Sequence, residues 1–353
     1  MYQCAFCPKN LAFFCCFTYN KNVPIPSAGI SAAELRGETV HKYCFGVDVG
    51  ASFIKYGLFT TDGEAAEKWV RPTEPGERIL ADITAEIDAC MRRRGIDAAE
   101  VSGLGLGVPG PVDREGALSR AVNLGWGAMP LAERMTVLTG LETRAANDSS
   151  LAALGEHLFG GGTDYRDMAL VTLGTGVGAG VICGGKLLLG AHGAAGEIGH
   201  MHISDDITEP CACGSRGCLD QLASVPGVLR IAREQLAAGS APSLLREREL
   251  TAESLWLAVR EGDHVAVRTA EIFGDALGRA LAALSLAVDP QLIVIGGGMA
   301  AAGAALLNYI QKYYIRYAFA DCAKAAFRLA RLGGYAGIYG AAALFMDRGR
   351  QCL

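Results

Sequence analysis

The sequence predicts an α/β protein of two lobes with mixed sheets, and three observations predict it. Hairpin signals come first in the chain, strand–helix alternation comes later, and 353 residues suffice for two domains. One doubly wound sheet would alternate from the start. A hydrophobic fraction of 51% against 20% charged residues allows sizeable cores and excludes a disordered chain. The net charge of −5 argues against a nucleic-acid surface. No apolar run approaches the roughly 20 residues that span a bilayer, so neither nucleic acid nor membrane is expected as a partner.

Residues 1–43 look unlike the rest and read as a poorly ordered extension or translated upstream sequence. "LAFFCCF" follows a single Lys and lacks both a basic leader and a clear small-x-small cleavage site, so a cytoplasmic protein is expected. Cys4, Cys7, Cys15 and Cys16 offer metal-ligating atoms, but ordinary thiols are the preferred reading. "YCFGVDVGASFIKYGLFTTDGE" then reads as strand, Gly turn, strand, turn, with Asp62-Gly63 as a hairpin signal. Ile79, Ile83, Ile87 and Met91 recur at helical spacing before a stop at Gly95. "VSGLGLGVPGPV" is a buried strand entering a Gly-Pro loop. "TRAANDSSLAALGEHLFGGG" passes from a strand end into a helix that Asp148 or a following Ser would cap. "MALVTLGTGVGAGVICGGKLLLG" is a hairpin with a glycine-filled entry. Phe273, Leu277, Leu281, Leu284 and Val288 form one helical face that Asp289-Pro290 ends. "QLIVIGGGMA" is a buried strand leading to glycines and a helix, and a last strand and helix follow. No short-period repeat is visible.

"CACGSRGC" packs three cysteines into eight residues. A disulfide needs Cα atoms roughly 4.4–6.8 Å apart with the right side-chain direction, which so short a spacing seldom gives, and a reducing cytosol disfavours it further. Zinc prefers four tetrahedral ligands, often Cys₃His, and itself deprotonates the thiols it binds. Cys211, Cys213 and Cys218 give three; His200 or His202 can supply the fourth, with His192 more distant. Reduced cysteines without a metal are the alternative. A closed four-ligand site would hold a loop and do no chemistry itself.

"GEIGH…CACGSRGC" resembles the signature of the ROK family (repressors, open reading frames, kinases), in particular its bacterial glucokinase-like sugar kinases. The resemblance runs from about Tyr43 to the C-terminus. It implies the two-lobed actin/hexokinase-like (ribonuclease H-like) fold, with ATP and sugar in the cleft between lobes and a zinc-bound loop over 200–218. It implies a smaller lobe over 44–150, a larger one over 151–334, and a C-terminal helix over 335–353 that returns to the first. It also implies His200, Cys211, Cys213 and Cys218 as zinc ligands.

Phosphoryl transfer to a sugar needs a positioned hydroxyl, a base for its proton and charge stabilisation on the phosphates. Asp148, at a strand-to-helix turn, is the candidate base; a plain helix N-cap is the alternative. The family pattern matches Asn147 to a sugar-binding Asn and Asp148 to the catalytic Asp. A buried sugar hydroxyl left unpaired costs roughly 1–3 kcal/mol, so carboxylates, amides and an imidazole are expected around it. Glu197 and His200 in "GEIGH" fit, and Asn123 lies in "NLGWGAMPL", which resembles the family's Asn-x-x-Trp sugar loop. Asp220 stands where these kinases usually carry Glu, one methylene longer, and joins the substrate set as a departure. "DVGASFIK" matches the first phosphate loop, with Asp48 holding Mg²⁺ through water and Gly50, Ser52 and Lys55 towards the nucleotide. Here Ala51-Ser52 replaces the usual Gly-Thr, and Ala needs a backbone angle without positive φ. Gly174, Thr175 and Gly176 match the second phosphate loop, and Gly296, Gly297 and Gly298 the adenosine loop. No GxGxxG unit of strand, loop and helix is present, which disfavours a nicotinamide enzyme.

The expectation is therefore an ATP-dependent hexose kinase, glucose favoured, with Mg²⁺ and a structural Zn²⁺, assembled as a homodimer or homotetramer. Alternatives are a kinase for fructose, N-acetylmannosamine, N-acetylglucosamine or allose, a polyphosphate donor, or a non-catalytic sugar-binding protein. A sugar-responsive repressor would need a helix-turn-helix segment, for which residues 1–43 show neither the helices nor the basic charge.

Overall fold

Local pairing builds the first half. The structure, a computed structural model, describes residues 41–74, 76 and 78–352. Residues 1–40, with most of the expected extension and its four cysteines, lie outside the described residues. Tyr43–Val49 (β1) and Phe53–Thr60 (β2) pair antiparallel, placing Asp48 opposite Lys55. Ala65–Pro72 (β3) follows the Asp62-Gly63 turn, where Gly63 takes a φ of 102°. Ile79–Arg94 (α1) buries Ile79, Ile83 and Ile87 and ends at Gly95 in the left-handed region. Val101–Val108 (β4), Leu131–Thr139 (α2) and Thr143–Asn147 (β5) complete a five-stranded sheet of order β3-β2-β1-β4-β5, with β4 parallel to β1 and β5 parallel to β4.

Asp148–Phe159 (α3) carries the chain to a second five-stranded sheet. Met168–Leu173 (β6), Val177–Cys183 (β7) and Lys186–Leu187 (β8) form an antiparallel meander. Asp220–Ala223 (α4), Val225–Ala237 (α5), Ala252–Arg260 (α6) and His264–Val288 (α7) follow. Leu292–Gly296 (β9), Ala304–Tyr317 (α8) and Ala326–Leu329 (β10) close the order β10-β9-β6-β7-β8. Phe273, Leu277 and Leu281 of α7 are fully buried in the core beside β6 and β9. Asp289, with φ 41°, is the one non-glycine residue of positive φ among the described residues and stops the helix where Asp289-Pro290 predicts.

Counted from its own first strand, each sheet has the order 3-2-1-4-5, with the same parallel and antiparallel pairs. The β1–β2 turn at 50–52 and the β6–β7 turn at 174–176 are therefore equivalent positions. The duplication is one of topology.

Ala336–Ala343 (α9) returns to the first sheet and packs on β1, β4 and α3. Its small side chains allow very close approach. A Cβ on Gly105 of β4 would lie 1.8 Å from Ala341 O, and one on Gly340 would lie 1.7 Å from Leu151 O. The expected helix over 335–353 is shorter than the sequence suggests. Met346 adopts extended backbone (φ −95°, ψ 150°) and the chain folds back, so that Cys352 O accepts the Leu187 N–H of β8 at 2.7 Å. Among the described residues no helix is long and apolar enough to cross a membrane.

Candidate active site

A cavity of about 610 Å³ opens between the two sheets, and its wall draws on both. At its centre the strand β5 ends and α3 begins. Asn147 is extended (φ −60°, ψ 142°), and its Oδ1 accepts the Ser150 N–H at 3.0 Å. Asn147 is thus the helix cap, and the expectation that Asp148 or a following Ser caps this helix is corrected. A cap is a non-helical residue whose side-chain oxygen accepts from the second or third helical amide, and Asp148 is already helical. Asn147 Nδ2 donates to Gly110 O at 3.2 Å.

Asp148 is left facing the cavity. Its Oδ1 accepts from Ser149 N at 2.6 Å and from Ser149 Oγ at 3.3 Å. The carboxyl still meets solvent at the cavity surface, yet protein surrounds it at longer range. That burial, and then the neighbouring Asp48 charge, push its pKa up to about 7. Asp48, near the end of β1, accepts from Lys55 Nζ at 3.1 Å through Oδ2. Burial raises the Asp48 pKa, and the Lys55 ammonium opposes the rise.

The two equivalent turns meet this centre differently. Gly174, Thr175 and Gly176 line the cavity. Asp220, first residue of α4, holds their loop by accepting the Val177 N–H at 2.6 Å through Oδ1. In the β1–β2 turn the Gly50 N–H is engaged with Phe53 O at 3.0 Å, so it does not face the cavity as expected; neither Gly50 nor Ser52 belongs to the wall. Ala51 fits this turn without positive φ. Gly297 lines the cavity, whereas Gly296, buried, and Gly298, exposed, do not belong to its wall.

Glu197, His200, Asp220 and Asn123 all reach the cavity. His200 has two different neighbours: Nε2 lies 4.0 Å from Glu197 Oε2, and Nδ1 lies 3.8 Å from Cys211 Sγ. Burial raises the Glu197 pKa, with His200 opposing, and burial likewise raises that of Asp220.

His200, Cys211, Cys213 and Cys218 bring their ligand atoms within 4.8 Å of one another. Zinc–sulfur bonds of about 2.3 Å in a tetrahedron require sulfur–sulfur edges of about 3.8 Å. Cys213 Sγ and Cys218 Sγ are 3.7 Å apart, which fits that edge and is far too long for a disulfide. All cysteines among the described residues are free. His202 stands outside this cluster, with both its ring nitrogens engaged by Arg216 O and Asp205 Oδ1, each at 2.9 Å.

The wall also contains groups that the sequence did not single out, among them Arg120, Thr172, Gly333, Gly334 and Gly337. Thr172 Oγ1 lies 2.9 Å from Ser149 Oγ, next to the Asp148 carboxyl. A Cβ on Gly337 would lie 2.8 Å from Asp48 Cγ. Gly333-Gly334 was visible as a glycine pair; Gly337 on Asp48 carried no sequence signal.

The sequence profile of the ROK family matches residues 44–348. The glucokinase of Halalkalibacterium halodurans is 37% identical over 308 residues, covering 85% of this chain and 93% of that protein. The crystal structure of a ROK family glucokinase from Streptomyces griseus, in complex with glucose and AMPPNP, aligns with a TM-score of 0.74 at 32% identity, over 86% of this chain and 98% of that one. A ROK family transcriptional regulator, homologous to the E. coli MLC protein, aligns with a TM-score of 0.79 at 25% identity, over 90% of this chain and 83% of that one. A profile match over most of the chain, together with a relative this similar along nearly its whole length, makes the chain a member of the ROK family.

Proposed function

We propose that this protein transfers the γ-phosphoryl group of ATP to a hexose hydroxyl, with glucose the favoured acceptor. One observation carries the reading: of the carboxyls that line a cavity walled by both sheets, Asp148 stands at the β5–α3 junction with its pKa pushed up to about 7 by burial and the neighbouring Asp48 charge. A base poised near neutral pH is what removal of a hydroxyl proton requires. The resemblance to the glucokinases named above supports the substrate pair. The repeated 3-2-1-4-5 order supports the finer reading of an actin/hexokinase-like fold of two lobes.

In this reading Glu197, His200, Asn123 and Asp220 pair the sugar hydroxyls, and Asn147 contributes through Nδ2. One hydroxyl is presented to Asp148. Its oxygen attacks the γ-phosphorus, its proton passes to the Asp148 carboxylate, and the bond from the γ-phosphorus to the β,γ-bridging oxygen breaks to release ADP. The loop at 174–176 holds the phosphates, with Asp220 keeping that loop in place through Val177. Lys55 lies on the same wall and offers an ammonium group to them.

Asp48 offers the hard carboxylate oxygen that magnesium favours. Magnesium would neutralise charge on the transferring phosphates. Zinc fits His200, Cys211, Cys213 and Cys218 by donor type and spacing. It would fix the His200 ring, leaving Nε2 free to meet the sugar beside Glu197.

The test is a panel of hexoses with ATP, read by ADP release. Glucose-dependent release is the expected result. Purified protein that releases ADP with no hexose in the panel would overturn the assignment.

A further inference from the structure

Glu156, in the last turns of α3, is fully buried at 0% exposure. Among the described residues its carboxyl oxygens bond only to backbone. Oε2 accepts the Gly161 N–H at 2.7 Å and Oε1 accepts the Leu332 N–H at 2.6 Å. Among the described residues no Lys, Arg or His makes an ion pair with it. Burying such a group is costly unless its bonds are satisfied, so the two bonds it makes are informative.

They join the two places where the chain passes between the sheets. The outgoing passage runs from α3 through residues 160–167 to β6, and Gly161 lies on it. The return runs from β10 through residues 330–335 to α9, and Leu332 lies on it. Arg328 of β10 adds a parallel tie, donating from Nη1 to Gly161 O at 3.0 Å. The loop is drawn tightly over the carboxyl: a Cβ on Gly160 would lie 2.1 Å from Glu156 Oε2.

The return passage then becomes part of the cavity wall. Gly333, Gly334 and Gly337 line it directly after Leu332. A Cβ on Gly334 would lie 3.9 Å from Lys55 Cε, and Gly337 presses on Asp48. The Leu332 bond therefore fixes the start of the segment that backs the Asp48–Lys55 pair.

We infer that Glu156 is a positioning residue. It clamps both passages between the sheets and so sets the 333–337 wall on the nucleotide side of the cavity. The nucleotide part of this inference rests on the proposed kinase reading; the clamp itself does not. Glu156→Gln keeps the shape but offers one acceptor oxygen and one NH₂ group. One of the two backbone N–H groups must then face another donor.

Two readouts test it on the full-length protein. Deuterium exchange, followed by mass spectrometry over residues 158–163 and 330–337, should be at least about ten-fold faster in E156Q in one or both segments. Affinity for AMPPNP should fall about ten-fold or more, while affinity for the hexose stays within about two-fold. Leu332→Pro removes the other partner of the bond; Leu332 has φ −80°, which proline accepts. It should weaken AMPPNP in the same direction, and it carries the test if E156Q does not fold.

Unchanged exchange and unchanged AMPPNP affinity in a folded variant would overturn the clamp. So would equal losses for nucleotide and hexose, the mark of general destabilisation. Wild-type protein that binds no AMPPNP would overturn the kinase reading and the nucleotide role together, while exchange still judges the clamp.

Discussion

Lys55 Nζ lies 3.1 Å from Asp48 Oδ2, across the register of β1 and β2, on the wall of the cavity. The pair is half-buried, with side chains 31% and 13% exposed, so solvent screens it only in part. Lys55→Met keeps the stem and removes the ammonium. The expected result is a rise of about ten-fold in KM for ATP with the hexose KM nearly unchanged, because charge-assisted bonds to phosphate are lost. Steady-state kinetics with each substrate varied in turn checks it; an unchanged KM for ATP would remove Lys55 from the nucleotide side.

Asp148→Asn should lower kcat by about 10²–10⁴, the usual contribution of a positioned base, while hexose binding persists. In the wild type, kcat/KM should rise with pH up to about 7 and then level, since the base must be ionised to act. The same raised pKa has a stability consequence. A carboxyl whose pKa is 3.8 unfolded and about 7 folded contributes stability below pH 3.8, and loses it as pH rises through 7. Asn does not ionise. D148N should therefore melt at a higher temperature than wild type at pH 8, with the gap much smaller at pH 4. Melting curves at both values decide this, and a gap that shrinks with rising pH would contradict the assigned environment.

Freshly purified, reduced protein should carry one zinc per chain. His200→Ala and Cys213→Ser should both lose it and raise the hexose KM, the first because the ring is gone and the second because the ring is no longer held. His202→Ala should keep zinc, since its ring is turned to Arg216 and Asp205. Elemental analysis of the three variants separates the two histidines. Zinc lost from H202A and retained by H200A would reverse the ligand assignment.

Features fixed by neighbours in the chain were legible in the sequence. The Asp62-Gly63 turn, the stop at Gly95 and the end of α7 at Asp289 all stand where turn and helix chemistry put them. The Cys/His cluster was legible because its four residues lie within one short segment, 200–218. Its histidine was not settled by spacing, since His200 and His202 are both near, and only ring orientation separates them. The cap was misread for a similar reason: Asn147 and Asp148 are both good caps, and the choice depends on which of them is still extended. Contacts across the fold left no local trace. The shared strand order of the two sheets comes from pairing β1 with β4 and β6 with β9 across intervening strands and helices, and Gly337 meets Asp48 only because α9 returns.

Asp220 tests how far a side chain serves its own loop before it serves a ligand. Its Oδ1 is taken by the Val177 N–H at 2.6 Å, and a Cβ on Gly199 would lie 2.5 Å from the same oxygen, so the carboxyl is wedged between two segments of the wall. Asp220→Ala leaves the Val177 N–H without its acceptor, at a cost of roughly 1–3 kcal/mol. The 174–176 turn should loosen, and KM should rise for nucleotide and hexose alike. Asp220→Asn keeps an acceptor oxygen for Val177 but removes the charge and puts an NH₂ group in place of the second oxygen. It should leave the KM for ATP near the wild-type value and raise the hexose KM alone, because the second oxygen is what remains to meet a sugar hydroxyl. Kinetics of the two variants side by side separate the roles. If D220N harms nucleotide binding as much as D220A does, the carboxyl is needed for its charge, and the hydrogen bond to Val177 is not what holds the turn.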